Sequence, residues 1–181
     1  MKKIVFTLLL ASVSVCGFAQ NKLRLSHFWD IPWGTSIENA QAILDERNLP
    51  SSRDENCLIT HGKYEREDST IILMFNRANR LYCANVVYES SSSSVLSHYD
   101  KYRKVLYRRY GAPDTAVEYY AEPYKKGDGR EIEAIETENA FHFTEWAFED
   151  ECLASVSILK NINICLTFKN PAYADSSIGK K

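Results

Sequence analysis

"IPWGTSIENAQAIL", Ile31 to Leu44, is the stretch on which the reading of the fold turns. Thr35 followed three residues later by Glu38 has the spacing of a capping box. A hydroxyl accepts from an early helix N–H, and an acid reaches back to the cap. Glu38 also sits at the positive end of the helix dipole. Ile37, Ala40, Ile43 and Leu44 then recur at helical spacing and predict one apolar stripe, with Asn48 and Pro50 ending the helix near Arg47. Trp33 and Gly34 fall in the entry turn, where an indole covers the helix end and glycine lets the chain bend. The motif reads as the start of a helix rather than as a site.

Downstream, Cys57 to Tyr64, Thr70 to Asn76 and Leu81 to Tyr88 read as three strands joined by the polar turns Glu65 to Ser69 and Arg77 to Arg80. That register places Ile59, Leu73, Phe75, Leu81 and Val87 on one face, against which the first helix packs. The serine run Ser90 to Ser94 reads as a linker ending in a cap. A second helix follows from Val95 to Tyr110, with Val95, Tyr99, Tyr102 and Leu106 as its stripe and Gly111 and Pro113 as its stop. Further strands are predicted at Thr115 to Tyr120, Glu131 to Glu136, Ala140 to Phe148 (with a bulge near Thr144), Cys152 to Leu159 and Ile162 to Phe168. The fold class is therefore α+β: an antiparallel sheet, allowing two α-β-β-β halves, with two helices on one face.

Upstream, Lys2 and Lys3, the apolar run Ile4 to Val15 and Gly17-Phe18-Ala19 predict a signal peptide over residues 1–19. Val13 to Val15 before Cys16 disfavours a lipid anchor there. Cleavage leaves 162 of the 181 residues, enough for one domain over 20–169, with halves 20–90 and 91–169 allowed and 170–181 as a mobile tail. The expected location is periplasmic or secreted, and no later segment has the length and apolarity of a membrane span. Twelve acidic residues against three basic ones between Asp114 and Glu151 argue against nucleic acid as a partner.

Four cysteines remain after processing, Cys57, Cys83, Cys152 and Cys165, open to two bridges or to buried free thiols. Strand alternation points Cys152 and Cys165 to opposite faces, which a disulfide does not bridge. His27, His61, His98 and His142 lack zinc-site spacing, and no nucleophile elbow, P-loop or dinucleotide motif occurs, so neither a metal nor a cofactor is expected. Glu131, Glu133, Glu145 and Asp150 are the carboxylates available for an acid/base pair, though glutamates alternating along a strand read first as a wet face. Asp68-Ser69-Thr70 and Asp114-Thr115-Ala116 are short O-glycosylation-like tripeptides in predicted turns.

The stretches Pro32-Trp33-Gly34-Thr35-Ser36, Phe75-Asn76 and "KVLYRRYGAP" (Lys104 to Pro113) resemble the small exported, uncharacterised proteins common in Bacteroidetes, with their "WG-x-S" and "KYG-x-P" patterns. In layout the chain is also similar to the β-lactamase-inhibitor-protein-like fold, although here strands intervene between the helices. Neither resemblance supplies catalytic residues. The functional expectation rests on surplus aromatics: Trp29, Trp33, Tyr119, Tyr120 and Tyr124 as candidate partner-binding residues. The chain is expected to be a non-enzymatic interaction module of the cell envelope, with another envelope or extracellular protein as partner. The alternatives are a small-ligand carrier with a pocket between helices and sheet, or a carboxylate-dependent hydrolase of envelope polymers.

Overall fold

The computed structural model describes residues Arg24 to Asp175; the predicted leader and Cys16 lie outside them. A hairpin that the sequence did not announce comes first. β1 (His27–Phe28) pairs with β2 (Ile31–Pro32) across Trp29 and Asp30, both at positive φ. Its inner residues, Phe28 and Ile31, are buried.

α1 (Ile37–Glu46) occupies the predicted span, but its cap differs from the expected one. Ser36 is the N-cap, its hydroxyl accepting from the Asn39 N–H at 3.4 Å, whereas Thr35 donates its own hydroxyl to the Pro32 carbonyl at 2.7 Å. Glu38 does not reach back. The Asn79 amide stands between, accepting from the Ile37 N–H at 2.9 Å and donating to Glu38 at 2.8 Å. A capping box is a local pattern, and here a distant side chain outcompetes it.

β3 (Ser51–Asp54), β4 (Cys57–Tyr64), β5 (Glu67–Phe75) and β6 (Leu81–Tyr88) form an antiparallel meander. The expected face grouping is corrected here. β4 and β5 are joined by the two-residue turn Glu65-Arg66, φ +50° and +69°, so Ile59 faces Ile72 rather than Leu73. A bulge between Met74 and Phe75 then switches phase: Met74 faces Cys83 but Phe75 faces Leu81. Leu73, Phe75 and Leu81 are buried, while Ile59 and Val87, on the other face, are half-exposed. Ser69 lies inside β5, buried, its hydroxyl donating to the Gly62 carbonyl, and not in a turn.

α2 (Val95–Tyr110) buries the predicted stripe Val95, Tyr99, Tyr102 and Leu106 and stops at Gly111. β7 (Thr115–Tyr120) follows as predicted. Glu131–Glu136, predicted as a strand, is instead a short helix, α3, which buries Ala134 and Ile135. The Asp128 carboxylate accepts from the Lys125 and Arg130 N–H groups, and Glu131 accepts from the Gly127 N–H. These bonds fold the loop ahead of α3, and Glu131 and Glu133 in its first turn complement the helix dipole. β8 (Ala140–Ala147), β9 (Leu153–Ile158) and β10 (Ile164–Lys169) complete the second meander. No bulge occurs near Thr144: the β7–β8 register runs unbroken from Thr115↔Glu145 to Tyr120↔Ala140. The aromatic run simply places Phe141 and Phe143 on one face, with His142, Thr144 and Trp146 on the other.

The molecule is an α+β protein on an eight-stranded antiparallel sheet of order β3-β4-β5-β6-β10-β9-β8-β7. Two meanders therefore stand back to back, joined by their last strands, with Val86 opposite Leu166 at the seam. One core row crosses six strands, Leu58, Leu73, Ala84, Phe168, Ala154 and Trp146, each facing the next. α2 lies over β9 and β10, and α1 over β3 and β4. Cys165 is on the face opposite Ile164 and Leu166, Cys152 is wholly buried, and Cys57, Cys83, Cys152 and Cys165 are all free thiols.

Of the stretch expected to be a mobile tail, residues 170–175 are described and 176–181 lie outside the described residues. Pro171–Tyr173 forms a 3-10 turn, Asn76 donates to the Tyr173 carbonyl at 2.6 Å, and the Arg77 N–H meets the Asp175 carboxylate. Among the described residues no helix is long and apolar enough to cross a membrane.

Candidate functional site

The two outer strands of the sheet differ in kind. β3 has four residues, Ser-Ser-Arg-Asp, short and charged in the way that blunts an edge. β7, Thr-Ala-Val-Glu-Tyr-Tyr, is longer, lacks proline, carries a single charge and is exposed from Thr115 through Tyr119. Alternate residues of such an edge turn their N–H and C=O groups away from β8 with no strand beyond to receive them.

Each face of β7 offers a different surface. On one, Val117, Tyr119 and Phe141 are 37%, 50% and 48% exposed, and the Tyr119 and Phe141 rings, directly opposite in register, lie 5.4 Å apart. On the other, a groove of about 400 Å³ runs between α2 and the overhanging strand. Leu96, Tyr99 and Arg103 form its helix wall; Ala116, Glu118 and His142 form its sheet wall.

Polar groups in this groove are mutually engaged. His142 is 5% exposed and its Nε2 lies 2.9 Å from the Tyr120 hydroxyl and 3.9 Å from Glu118. Burial lowers the imidazole below its ordinary range, with the Glu118 charge opposing, so the ring is neutral at pH 7. Burial raises the Tyr120 phenol to about 12, helped by Glu118. For Glu118 itself burial pushes upward, but Lys126, bonded at 2.6 Å, and His142 hold the carboxyl below the usual range. Tyr99 and Thr144 share a 2.7 Å hydroxyl bond at the floor. Such an arrangement supplies fixed donors and acceptors beside an open backbone edge, which suits recognition.

The five aromatic candidates do not converge. Tyr119 and Tyr120 flank β7 on its two faces. Tyr124 is buried, its hydroxyl donating to Glu133 at 3.0 Å under the Arg130 guanidinium, and so anchors α3. Trp33 is buried too, its indole N–H donating to the Leu25 carbonyl at 2.5 Å. Trp29 sits half-buried at the tip of the first hairpin beneath Arg47. The candidate carboxylates are also dispersed. Glu131 and Glu133 belong to α3, Glu145 faces Thr115, and Asp150 accepts from the Leu25 and Cys152 N–H groups. Phe141, Val117, Glu118 and His142 were missed. The alternation Phe141-His142-Phe143 was their signal, once β8 is paired to β7 without a bulge.

No family model, curated protein or solved structure matches this chain.

Proposed function

We propose that this protein is a non-enzymatic interaction module of the cell envelope that binds an extended segment of a partner protein as a ninth strand along β7. The carrying observation is the contrast of the two sheet edges, one short and charged, the other longer, exposed and carrying a single charge. Strand addition draws affinity from main-chain bonds and specificity from alternate side chains. Here one set of side chains would enter the groove beside Tyr99 and His142, and the other would meet Val117, Tyr119 and Phe141. The reading that both long helices cover one face supports this layout. Tyr99 reaches Thr144, Tyr102 stacks on Tyr88 at 4.1 Å, and Leu44 of α1 is fully buried in the same core. The opposite face then keeps its apolar content half-open. The envelope location rests on the basic, apolar and small-residue order of residues 1–19.

The test places a photo-crosslinking amino acid at Tyr119 and, separately, at Ser52 of β3, in the source organism. A discrete adduct is expected from position 119 alone, and Val117→Lys should weaken it at least about tenfold, or 1.4 kcal/mol. Because Val117 is exposed, the melting temperature should hold. Equal adducts from both edges, or an indifferent V117K, would sink the reading. An adduct of twice the chain mass makes a second copy the occupant.

A further inference from the structure

A second concavity shares no residue with the β7 groove. It lies between the β1–β2 hairpin, the β4–β5 turn and the C-terminal end of α2, with a volume of about 550 Å³, within the range of small-ligand sites. Its floor is aromatic and closely packed. Phe28 stacks on Tyr64 at 5.7 Å, Phe168 lies 5.2 Å from Phe28 and 5.9 Å from Tyr64, and all three are buried. Half-buried Trp29 and Tyr110 line it as well.

Its rim is cationic in a chain whose formal net charge is −2. Arg24, Lys63, Arg66 and Arg109 line it against Asp30 and Glu65. Both acids are already engaged: Glu65 pairs with Arg109, and Asp30 lies 3.9 Å from Arg47 and 3.8 Å from His27. Arg109 also donates to the Tyr64 hydroxyl at 3.3 Å, tying rim to floor. The negative end of the α2 dipole opposes an anion here, but Arg108 and Arg109 in the last turn offset it. Arg24, Lys63 and Arg66 have no ion-pair partner among the described residues.

We propose that this cleft binds a small molecule carrying an anionic group, phosphate or carboxylate, on a flat apolar body. The body lies against the half-buried Trp29 and Tyr110 rings, which are backed by the buried Phe28–Tyr64–Phe168 cluster, and the anion meets Lys63 and Arg66, with Arg24 on the hairpin side. The aromatic surface is already packed and needs little reordering on binding, and the unpartnered cations at its rim favour a charged planar ligand over a neutral one. This develops the small-ligand alternative at a site independent of strand addition, so either proposal stands or falls alone.

Phenyl phosphate, benzoate and uncharged benzyl alcohol serve as probes, followed by the Trp29 indole N–H resonance. Both anions should shift it saturably, at least tenfold more tightly than benzyl alcohol, with affinity falling as salt rises. Whichever anion binds more tightly names the headgroup. Lys63→Glu and Arg66→Glu should each weaken the anions at least tenfold without lowering the melting temperature, both residues being exposed. Arg108→Glu, outside the lining, should change affinity far less. Benzyl alcohol binding as well as the anions, charge reversals without effect, or no saturable shift up to about 10 mM would each overturn the proposal.

Discussion

Gly34 shows how much a single position can decide. Its φ is +81°, and a Cβ there would stand 2.7 Å from the Tyr173 ring. Its N–H donates to the Leu81 carbonyl at 2.9 Å and its carbonyl accepts from Arg80 at 3.0 Å, so the residue cannot shift to relieve a clash. The tryptophan–glycine pair therefore serves the frame: Trp33 closes over Leu25, and Gly34 admits the docked C-terminal turn. Gly34→Ala should cost about 1–3 kcal/mol in chemical denaturation. Tyr173→Ala should recover part of that cost in a double-mutant cycle, leaving the backbone strain. Equal cost in both backgrounds would show that the ring is not the obstacle.

At the scale of elements, the sequence was legible where one element carried its own pattern. α2 announced its buried stripe because four apolar positions repeat over sixteen residues, and β4 and β6 matched their predicted spans to the residue. Legibility failed where the deciding partner was distant or the pattern short. Asn79 caps α1 from the β5–β6 turn, 42 positions away. Glu65-Arg66 makes a left-handed turn without the usual glycine or asparagine, so β5 began three residues earlier than read. Glu131 to Glu136 alternates too briefly to tell strand from helix. For the candidate site, β7 and its two tyrosines were visible, but its position at the sheet edge is a property of topology.

The β7–β8 pair also carries a pH response. His142 ordinarily titrates near 6.5 and burial disfavours its charged form, so the unfolded chain takes up the proton first as pH falls. Stability should thus decline below about pH 6.5, until the folded state also protonates. Glu118, Asp100, Lys126 and Arg103 face the ring, the acids moderating the decline and the cations deepening it. Glu118's own contribution fades only below about 4.5, a separate window. Melting temperatures of His142→Gln should fall less steeply than wild type between pH 6.5 and about 5. Parallel curves would exclude the histidine as their cause.

The whole molecule depends on the seam between β6 and β10. Leu166 is fully buried there, facing Val86 on one side and Val156 on the other. Leu166→Ala should cost about 2–5 kcal/mol, because the cavity it leaves is walled by both meanders. Since the seam couples the halves, fluorescence of Trp33 and of Trp146, each isolated by replacing the other tryptophans with phenylalanine, should report one coincident transition. Two separated midpoints would mean that the meanders melt independently.

That seam also sets an order of events during synthesis. β6 leaves the ribosome some eighty residues before the strand that will shield it, and β9 waits for the same arrival. Until Ile164–Lys169 emerges, a nascent chain displays the margins of β6 and β9 in addition to that of β7. A stop codon just ahead of that strand would therefore do more harm than its few missing residues suggest, yielding aggregates rather than a weakened monomer.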